Sequence, residues 1–197
     1  MATLPVLNSP SKEAQPTSAS IAPQLSDEER QRLAAQLTAL DVGQVRFSHH
    51  DQMLYSTDAS IYQIEPIGVV VPRDVEALAK VVRWAGEKRV ALLPRGGGTS
   101  LPGQCTNRAV VVDHSACCRR VLNVDAASRI CHVEPGITID ELNRDLESRK
   151  TGLFFAPDPA TAAQATIGGV IADAAADGRL GGRGGVGREE QTGLARL

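Results

Sequence analysis

A glycine-rich stretch at residues 90–104, read VALLPRGGGTSLPGQ, constrains this chain more than any other part of its sequence. A short apolar run at residues 90–93 predicts a strand that ends at Pro94. Glycines and then hydroxyl residues follow it, in the order Gly96, Gly97, Gly98, Thr99 and Ser100. Because glycine adopts positive φ and lets other atoms come close, the strand leads into nearly bare backbone. Successive N–H groups in such a loop form a concavity that binds anions, so the sequence predicts a phosphate or pyrophosphate site.

The loop lacks the two best-known phosphate-binding signatures. No lysine follows Gly98, as a Walker A motif would require. The next regular element is a strand predicted at residues 110–113, whereas the Rossmann glycines open a helix. The loop therefore joins strand to strand, and its N–H groups act without a helix dipole behind them. Arg95 has two interpretations, since it either adds positive charge to the site or is simply solvated.

Composition excludes several classes of function. The chain has 197 residues, is 42% hydrophobic and has a formal net charge of −2, which fits one domain with a core and provides no general attraction for nucleic acid. Aromatic residues make up 3%, too few for a stacking platform. No apolar run reaches the length of a membrane span, and the first residues lack a secretory pattern, so we expect a cytoplasmic protein. The cysteines Cys105, Cys117, Cys118 and Cys131 match no zinc spacing, so we expect reduced thiols and no metal.

Four segments follow one another along the chain. Residues 1–25 are rich in Pro, Ser, Ala and Thr and predict a disordered leader. Residues 26–50 hold an N-terminal helix and a linker, because the capping box from Ser26 to Glu29 predicts a helix over residues 27–40. Residues 51–173 form the main domain. Residues 174–197 are rich in Gly and Arg and predict a disordered tail, with weak RNA binding as an alternative.

The main domain has the pattern of an α/β or α+β protein. A strand at residues 68–71, a helix capped by Asp74 and a strand at residues 90–93 predict a parallel pair with a right-handed crossover. The core face of this helix is predicted to contain Val75, Leu78, Ala79, Val82 and Ala85. Further strands are predicted at residues 110–113, 129–134 and 153–155. A second capping box at Thr138 predicts a helix that ends near Lys150, with Ile139, Leu142 and Leu146 on its face.

Further tight turns raise the likelihood of a ligand site beyond what one glycine loop supports. Pro157 and Asp158 belong to a rigid Pro-Asp-Pro turn after the last short strand, and a Glu-Pro-Gly turn occupies residues 134–136. Thr166, Gly168 and Gly169 open an apolar stretch, and a helix that starts there aims N–H groups at an anion. Each turn is common alone. Together with the glycine loop they predict that several backbone segments converge on one extended ligand.

At this point the motifs resemble a known family. The chain reads YSTDAS at residues 55–60, LPRGGGTSLPGQ in the loop, FFAPDPAT at residues 154–161 and ATIGGVIAD at residues 165–173. These strings, in unbroken order from residue 51 to residue 173, resemble the flavin domain of the vanillyl-alcohol oxidase/p-cresol methylhydroxylase family. They are most similar to its branch of glycolate oxidase D subunits, D-lactate dehydrogenases and other FAD-linked 2-hydroxy-acid dehydrogenases.

The resemblance implies an α+β fold, a p-cresol methylhydroxylase-type (PCMH-type) FAD-binding domain whose first lobe is complete and whose second is partial. It implies that FAD lies between the lobes and that its pyrophosphate is bound by Pro94, Arg95, Gly96, Gly97, Gly98, Thr99, Ser100, Gly103 and Gln104. The residues implied along the flavin side are Pro157, Asp158, Thr166, Gly168 and Gly169. Some relatives attach FAD covalently through a histidine where this chain has Thr99, so we expect non-covalent FAD. The implied reaction is hydride transfer from a hydroxy acid to the flavin.

The resemblance stops near residue 173. Relatives continue with Asn and Ala-Ala-Gly, whereas this chain reads Ala-Ala-Ala-Asp at residues 174–177 and does not return to the pattern. We therefore expect a truncated or frame-shifted fragment that binds a hydroxy-acid substrate only in a full-length form, and we assign no catalytic residue. The alternatives are a non-catalytic phosphate- or nucleotide-binding module and an inactive remnant. The sequence does not specify an oligomeric state.

Overall fold

The computed structural model describes residues 25–174, 195 and 196 of the chain. The predicted leader and tail lie outside these residues, apart from Leu25, Ala174 and a two-residue strand. The helices and strands, in chain order, are α1 (Asp27–Ala39), β1 (Gly43–Arg46), α2 (His49–Leu54), β2 (Gly68–Pro72), α3 (Val75–Lys88), β3 (Leu92–Arg95), β4 (Val110–Asp113), β5 (Val121–Asp125), β6 (Ile130–Val133), α4 (Ile139–Ser148), β7 (Leu153–Phe154), α5 (Ile167–Ala174) and β8 (Ala195–Arg196). The predicted α+β class is confirmed.

Both predicted capping boxes are present. Ser26 accepts a hydrogen bond from the N–H of Glu29, whose side chain in turn accepts one from the N–H of Ser26. Thr138 and Glu141 make the same reciprocal pair at the start of α4. Because each box satisfies two N–H groups that the helix itself leaves unpaired, these helices begin where the sequence predicts.

A four-stranded sheet forms the first unit, with the order β1-β2-β4-β3. β2 and β3 both run parallel to β4, and β1 is antiparallel to β2. The prediction that the strands around α3 are direct neighbours is wrong, because β4 lies between them. The strand predicted at residues 90–93 occurs two residues later, at Leu92–Arg95, and includes Pro94. The three parallel strands end at one edge of the sheet, and the glycine loop leaves β3 at that edge.

The predicted core face of α3 is wrong in part: Ala85 is buried and Leu78 packs against the core, as predicted, but the other three residues are exposed. The buried residues of α3 are Ala77, Val81, Trp84 and Ala85, whereas Val75 and Val82 are 50% and 53% exposed. The helix carries apolar residues on more than one face, so its periodicity allows two orientations. The indole of Trp84 packs in the core and donates a hydrogen bond to the side chain of Gln36 in α1 at 3.0 Å. Burying this large ring selects the observed face.

The second unit contains the antiparallel pair β5-β6, helices α4 and α5, and the short pair β7-β8. Its core includes the predicted face of α4, since Ile139, Leu142 and Leu146 are at most 2% exposed. The two units meet where the N–H of Gly136 donates to the carbonyl of Cys118. The sequence missed α2, β1 and β5, because they are short and their apolar residues show no clear period.

Candidate functional site

The glycine loop connects β3 to β4, as predicted, and begins at the carboxyl ends of the parallel strands. Ligands of open sheets with parallel strands bind at this edge. Gly98 has a φ of 66°, a left-handed conformation that glycine adopts without steric cost. Its carbonyl accepts a hydrogen bond from the N–H of Ala59 at 3.0 Å, which fixes the middle of the loop to the segment that follows α2.

Three consecutive N–H groups of this loop have no acceptor within the described part of the chain. They belong to Gly97, Gly98 and Thr99. Gly97 is exposed and its two neighbours are partly exposed, so water or a ligand reaches these groups. We call these three amides the amide cradle. Successive unpaired N–H groups around a left-handed residue are the type of backbone that binds phosphate oxygens in proteins.

Three other predicted loop residues have side chains that bond within the protein. The Ser100 hydroxyl and the Gln104 side chain are 3.0 Å apart, and the same hydroxyl accepts from the N–H of Gln104. Arg95 donates to the carbonyls of Tyr55 and Cys105, both at 3.3 Å, so its guanidinium faces the protein rather than the solvent. These bonds close the loop on itself and hold its shape.

The second predicted glycine segment lies directly against the loop. A Cβ placed on Gly96 would overlap Thr166 Oγ1 and lie 3.0 Å from Thr166 Cβ and Cγ2. A Cβ on Gly97 would overlap the carbonyl oxygen of Gln164 and lie 2.8 Å from its carbonyl carbon. The first and second units therefore touch at these glycines, which brings two of the predicted segments, the glycine loop and residues 164–166, into contact.

The start of α5 lies beside this contact. The N–H of Gly168 donates to the carbonyl of Pro135 at 2.9 Å, which ties α5 to the predicted turn at residues 134–136. A Cβ on Gly168 would lie 2.7 Å from the Cβ of Pro135, so this packing requires glycine. Gly169 is exposed, and a Cβ there would lie at an ordinary 3.5 Å from Thr166 Oγ1.

Pro157 and Asp158 lie further along the second unit. Pro157 is partly buried and Asp158 is exposed, and both follow β7. A turn in which the N–H of Ala162 donates to the carbonyl of Pro159 then leads to Gln164. Within the described residues no hydrogen bond joins Pro157 or Asp158 to the glycine loop. Their role along a flavin stays a prediction.

A supporting segment that the sequence did not single out lies on the other side of the loop. Asp58 accepts hydrogen bonds from the N–H of Cys105 at 3.1 Å and of Ser60 at 2.9 Å. Burial opposes the shift, but these hydrogen bonds hold the pKa of the Asp58 carboxyl below its usual value. The ring of Tyr62 packs where a Cβ of Gly103 would be. Asp58 belongs to the YSTDAS string, which was used only as part of the family resemblance and not to predict support for the loop.

Other reactive groups near the site are few. The thiol of Cys105 is partly buried, and this burial raises its pKa, which favours the protonated form and a packing role. Within residues 25–174 no group of three His, Cys, Asp or Glu side chains is arranged to hold a metal ion. Nor does any helix of that range have the length and hydropathy required to cross a bilayer.

Comparison with protein families gives a match over most of the main domain. The family described as "FAD binding domain" matches residues 66–189, which include the glycine loop and the second glycine segment. The matched range covers more than half of the chain.

Similar proteins with curated descriptions fall in the predicted branch. The chain is 39% identical over 142 residues to D-2-hydroxyglutarate dehydrogenases of Pantoea ananatis and Escherichia coli, covering 70% of this chain and 14% of each relative. It is 33% identical over 126 residues to the glycolate oxidase subunit GlcD of Bacillus subtilis, covering 63% of this chain and 26% of that protein. The chain thus spans about one seventh of the length of the dehydrogenases that it matches.

Solved structures show the same fold at low sequence identity. An alkyldihydroxyacetonephosphate synthase superposes with a TM-score of 0.62 and 22% identity, over 77% of this chain and 30% of that one. A p-cresol methylhydroxylase with substrate bound superposes with a TM-score of 0.63 and 17% identity, over 75% of this chain and 30% of that one. The predicted PCMH-type fold is confirmed by these neighbours.

Proposed function

The chain belongs to the FAD-binding domain family, and we propose that its amide cradle holds the diphosphate of FAD. The observation that carries this proposal is the set of unpaired N–H groups of Gly97, Gly98 and Thr99. They lie on a loop that is fixed on one side by Ala59 and packed on the other against residues 164–166. A loop held on both sides loses little conformational freedom when an anion binds to it, which favours affinity.

We further propose that this domain serves an oxidoreductase that acts on a 2-hydroxy acid. The support is the similarity to D-2-hydroxyglutarate dehydrogenases and to a glycolate oxidase subunit. In such enzymes FAD supplies the hydride acceptor, and the protein binds and orients it. Because this chain spans 14% of the dehydrogenases, the hydroxy acid is proposed as a ligand of a full-length form only.

The proposed attachment of FAD is non-covalent. Thr99 stands where the resemblance places the histidine of covalent relatives, and its hydroxyl is not a group that forms such a link with the flavin ring. We also propose the cytoplasm as the location, since the cysteines of the chain are all free thiols, which fits a reducing compartment. Precipitation of the loaded protein with acid tests the attachment, because non-covalent FAD appears in the supernatant.

Titration of the purified chain with FAD, followed by flavin fluorescence and visible absorbance, tests the proposed ligand. If the diphosphate carries the recognition, ADP competes with FAD, whereas riboflavin, which has no phosphate, does not. Binding of ADP with no preference for FAD would instead support the alternative of a phosphate- or nucleotide-binding module. A folded chain that binds neither compound would contradict the proposal.

A pair of variants at Thr99 tests the backbone amides directly. Thr99→Pro removes one N–H of the cradle, whereas Thr99→Ala removes the side chain and keeps the N–H. We expect Thr99→Pro to weaken FAD binding by about tenfold or more, which corresponds to at least about 1.4 kcal/mol. Thr99→Ala is the matched control and should bind nearly as well as the natural chain. Equal affinities of the two variants, with circular dichroism unchanged, would argue against the cradle.

A further inference from the structure

A side-chain cluster lies under the glycine loop, and of its members only Arg95 is among the residues implied to contact FAD. It consists of Tyr55, Arg95 and Asp113, which come from three separate elements. Tyr55 directly follows α2, Arg95 ends β3 and Asp113 ends β4. The two charged residues thus lie at the edge of the sheet where the loop begins, and the tyrosine bridges them.

Arg95 contacts the loop at its start, middle and end. As the residue before Gly96 it begins the loop, and its Nη1 donates to the carbonyl of Cys105 at the far end at 3.3 Å. Its Nη2 lies 2.6 Å from the position that a Cβ of Gly98 would take, so the guanidinium packs against the central glycine. One side chain therefore sets the width of the loop that carries the amide cradle.

Tyr55 in turn holds Arg95. The guanidinium carbon lies 5.3 Å from the centroid of the Tyr55 ring, within the range of a cation–π contact. The Arg95 Nη1 also donates to the backbone carbonyl of Tyr55 at 3.3 Å. The Arg95 side chain is thus held by the Tyr55 ring, over which its guanidinium carbon lies, and by two carbonyls that both accept from Nη1.

The ring itself is anchored by Asp113. The phenol of Tyr55 donates to Asp113 Oδ2 at 2.6 Å, and the other carboxylate oxygen accepts from the N–H and hydroxyl of Ser115. Asp113 is 7% exposed, so its carboxylate is nearly shielded from water. Burial and then the hydrogen bond with Asp113 raise the pKa of Tyr55 to about 12, so the phenol remains a donor throughout the physiological range.

We propose that Tyr55 is a positioning residue that acts through Arg95 to hold the amide cradle in the shape that receives a diphosphate. This inference rests on the proposed function of the cradle. The three glycines have no side chains of their own to pack, so the loop is held by its contacts with Ala59 and residues 164–166 and by the side chain of Arg95, which spans it. When Tyr55 loses its anchor or its ring, Arg95 is free to leave the loop carbonyl, and the three amides no longer point to one place.

The test measures the FAD dissociation constant of variants of the full chain. We expect Tyr55→Phe to weaken binding by about threefold and Tyr55→Leu by about tenfold, the latter corresponding to about 1.4 kcal/mol. ADP affinity should fall by the same factors, because the effect lies in the diphosphate site. The matched control is Trp84→Phe, which also removes a side-chain hydrogen bond made by an aromatic ring but lies in the core between α1 and α3. It should lower thermal stability and leave FAD affinity unchanged.

A double variant separates positioning from simple loss of stability. Because Tyr55 acts through Arg95, the variant Tyr55→Leu/Arg95→Lys should bind FAD no more weakly than Arg95→Lys alone. Additive losses would overturn the inference, and so would a Tyr55→Leu variant with unchanged affinity in a chain that binds FAD. If the natural chain does not bind FAD at all, the proposed function fails together with this inference, which distinguishes that outcome from a failure of the positioning role alone.

Discussion

The contact between Gly96 and Thr166 leads to a quantitative prediction. This contact joins the two units of the fold directly beside the amide cradle. An ideal Cβ on Gly96 overlaps Thr166 Oγ1, a separation that real Cβ atoms essentially never show, and lies a tight 3.0 Å from two more atoms of the same side chain. Thr166 is 4% exposed and therefore has little room to move away. We expect Gly96→Ala to force the loop and the start of α5 apart.

The magnitude follows from the cost of overpacking a buried contact. Inserting a methyl group into packed structure costs about 1 to 3 kcal/mol, and the close overlap here places Gly96→Ala at about 2 to 3 kcal/mol. For a chain of this size each kcal/mol shifts Tm by about 2 to 4 °C, so the melting temperature should fall by about 4 to 12 °C. FAD affinity should fall as well, because the loop carries the cradle.

A second substitution on the other side of the contact tests the explanation. Thr166→Ala removes the overlapping oxygen and one of the two carbons, so the double variant Gly96→Ala/Thr166→Ala should regain about 1 to 2 kcal/mol relative to the sum of the single effects. Gly86→Ala serves as the control, because a Cβ at Gly86 meets nothing within 4 Å. That helix-interior change should raise stability by about 0.8 to 1 kcal/mol. Thermal and urea unfolding measure all four variants, and strictly additive effects would refute the contact.

Three further predictions concern the same fold. Gly97→Ala should lower Tm at least as much as Gly96→Ala, and no side-chain substitution at Gln164 should rescue it, because the overlap is with backbone atoms. Hydrogen bonds from Arg120 lower the pKa of the Glu134 carboxyl in the folded protein, so the ionised carboxylate stabilises the fold. This contribution is complete above about pH 4.5, where the carboxyl titrates in the unfolded chain, and it is lost as the pH falls through the lower pKa of the folded state. Glu134→Gln should remove that acid-dependent loss, as pH-dependent melting would show. Leu146→Ala, at a fully buried position of α4, should cost about 3 kcal/mol in urea unfolding, and a cost below about 1 kcal/mol would contradict the assigned core.

Local patterns account for the parts of the fold that the sequence predicts well. The capping boxes at Ser26 and Thr138 involve residues three positions apart, so their chemistry is complete within a few residues of chain. The core face of α4 was equally readable because its apolar residues lie on a single stripe. In each case no distant part of the chain competes with the local signal.

The predictions of the buried face of α3 and of the strand order failed because both depend on contacts with distant parts of the chain. The face that α3 buries depends on Trp84 meeting α1, and nothing within α3 itself indicates which of its two apolar stripes does so. β4 lies between β2 and β3 because its valines are buried on both faces and take a central position in the sheet. Strand order is a property of the assembled sheet, so spacing along the chain predicted the parallel direction but not the neighbours.

The site shows the same division. The glycine loop and the second glycine segment were predicted from their own residues, and the structure brings them into contact. The residues that hold the loop were not found, because Tyr55 and Asp58 are about forty or more positions away from their partners Arg95 and Cys105. The residues next to a tyrosine or an aspartate in sequence do not indicate that it supports a distant loop, whereas three adjacent glycines indicate a loop by themselves.

The fold itself requires glycine at three positions of the loop, and this changes how mutations there are interpreted. Gly96 and Gly97 have no room for a Cβ because other parts of the same chain occupy it, and Gly98 is required by its positive φ. A substitution at any of them disturbs the protein before any ligand is considered, so a loss of FAD would not by itself locate the binding site. Thr99 has no such constraint in its side chain, since its proposed contribution is a backbone N–H. The comparison of proline with alanine at Thr99 is therefore the sharper test. Proline also fixes its own φ and restricts Gly98 before it, so the loss of affinity is assigned to the missing N–H when the melting temperature of ligand-free Thr99→Pro matches that of Thr99→Ala.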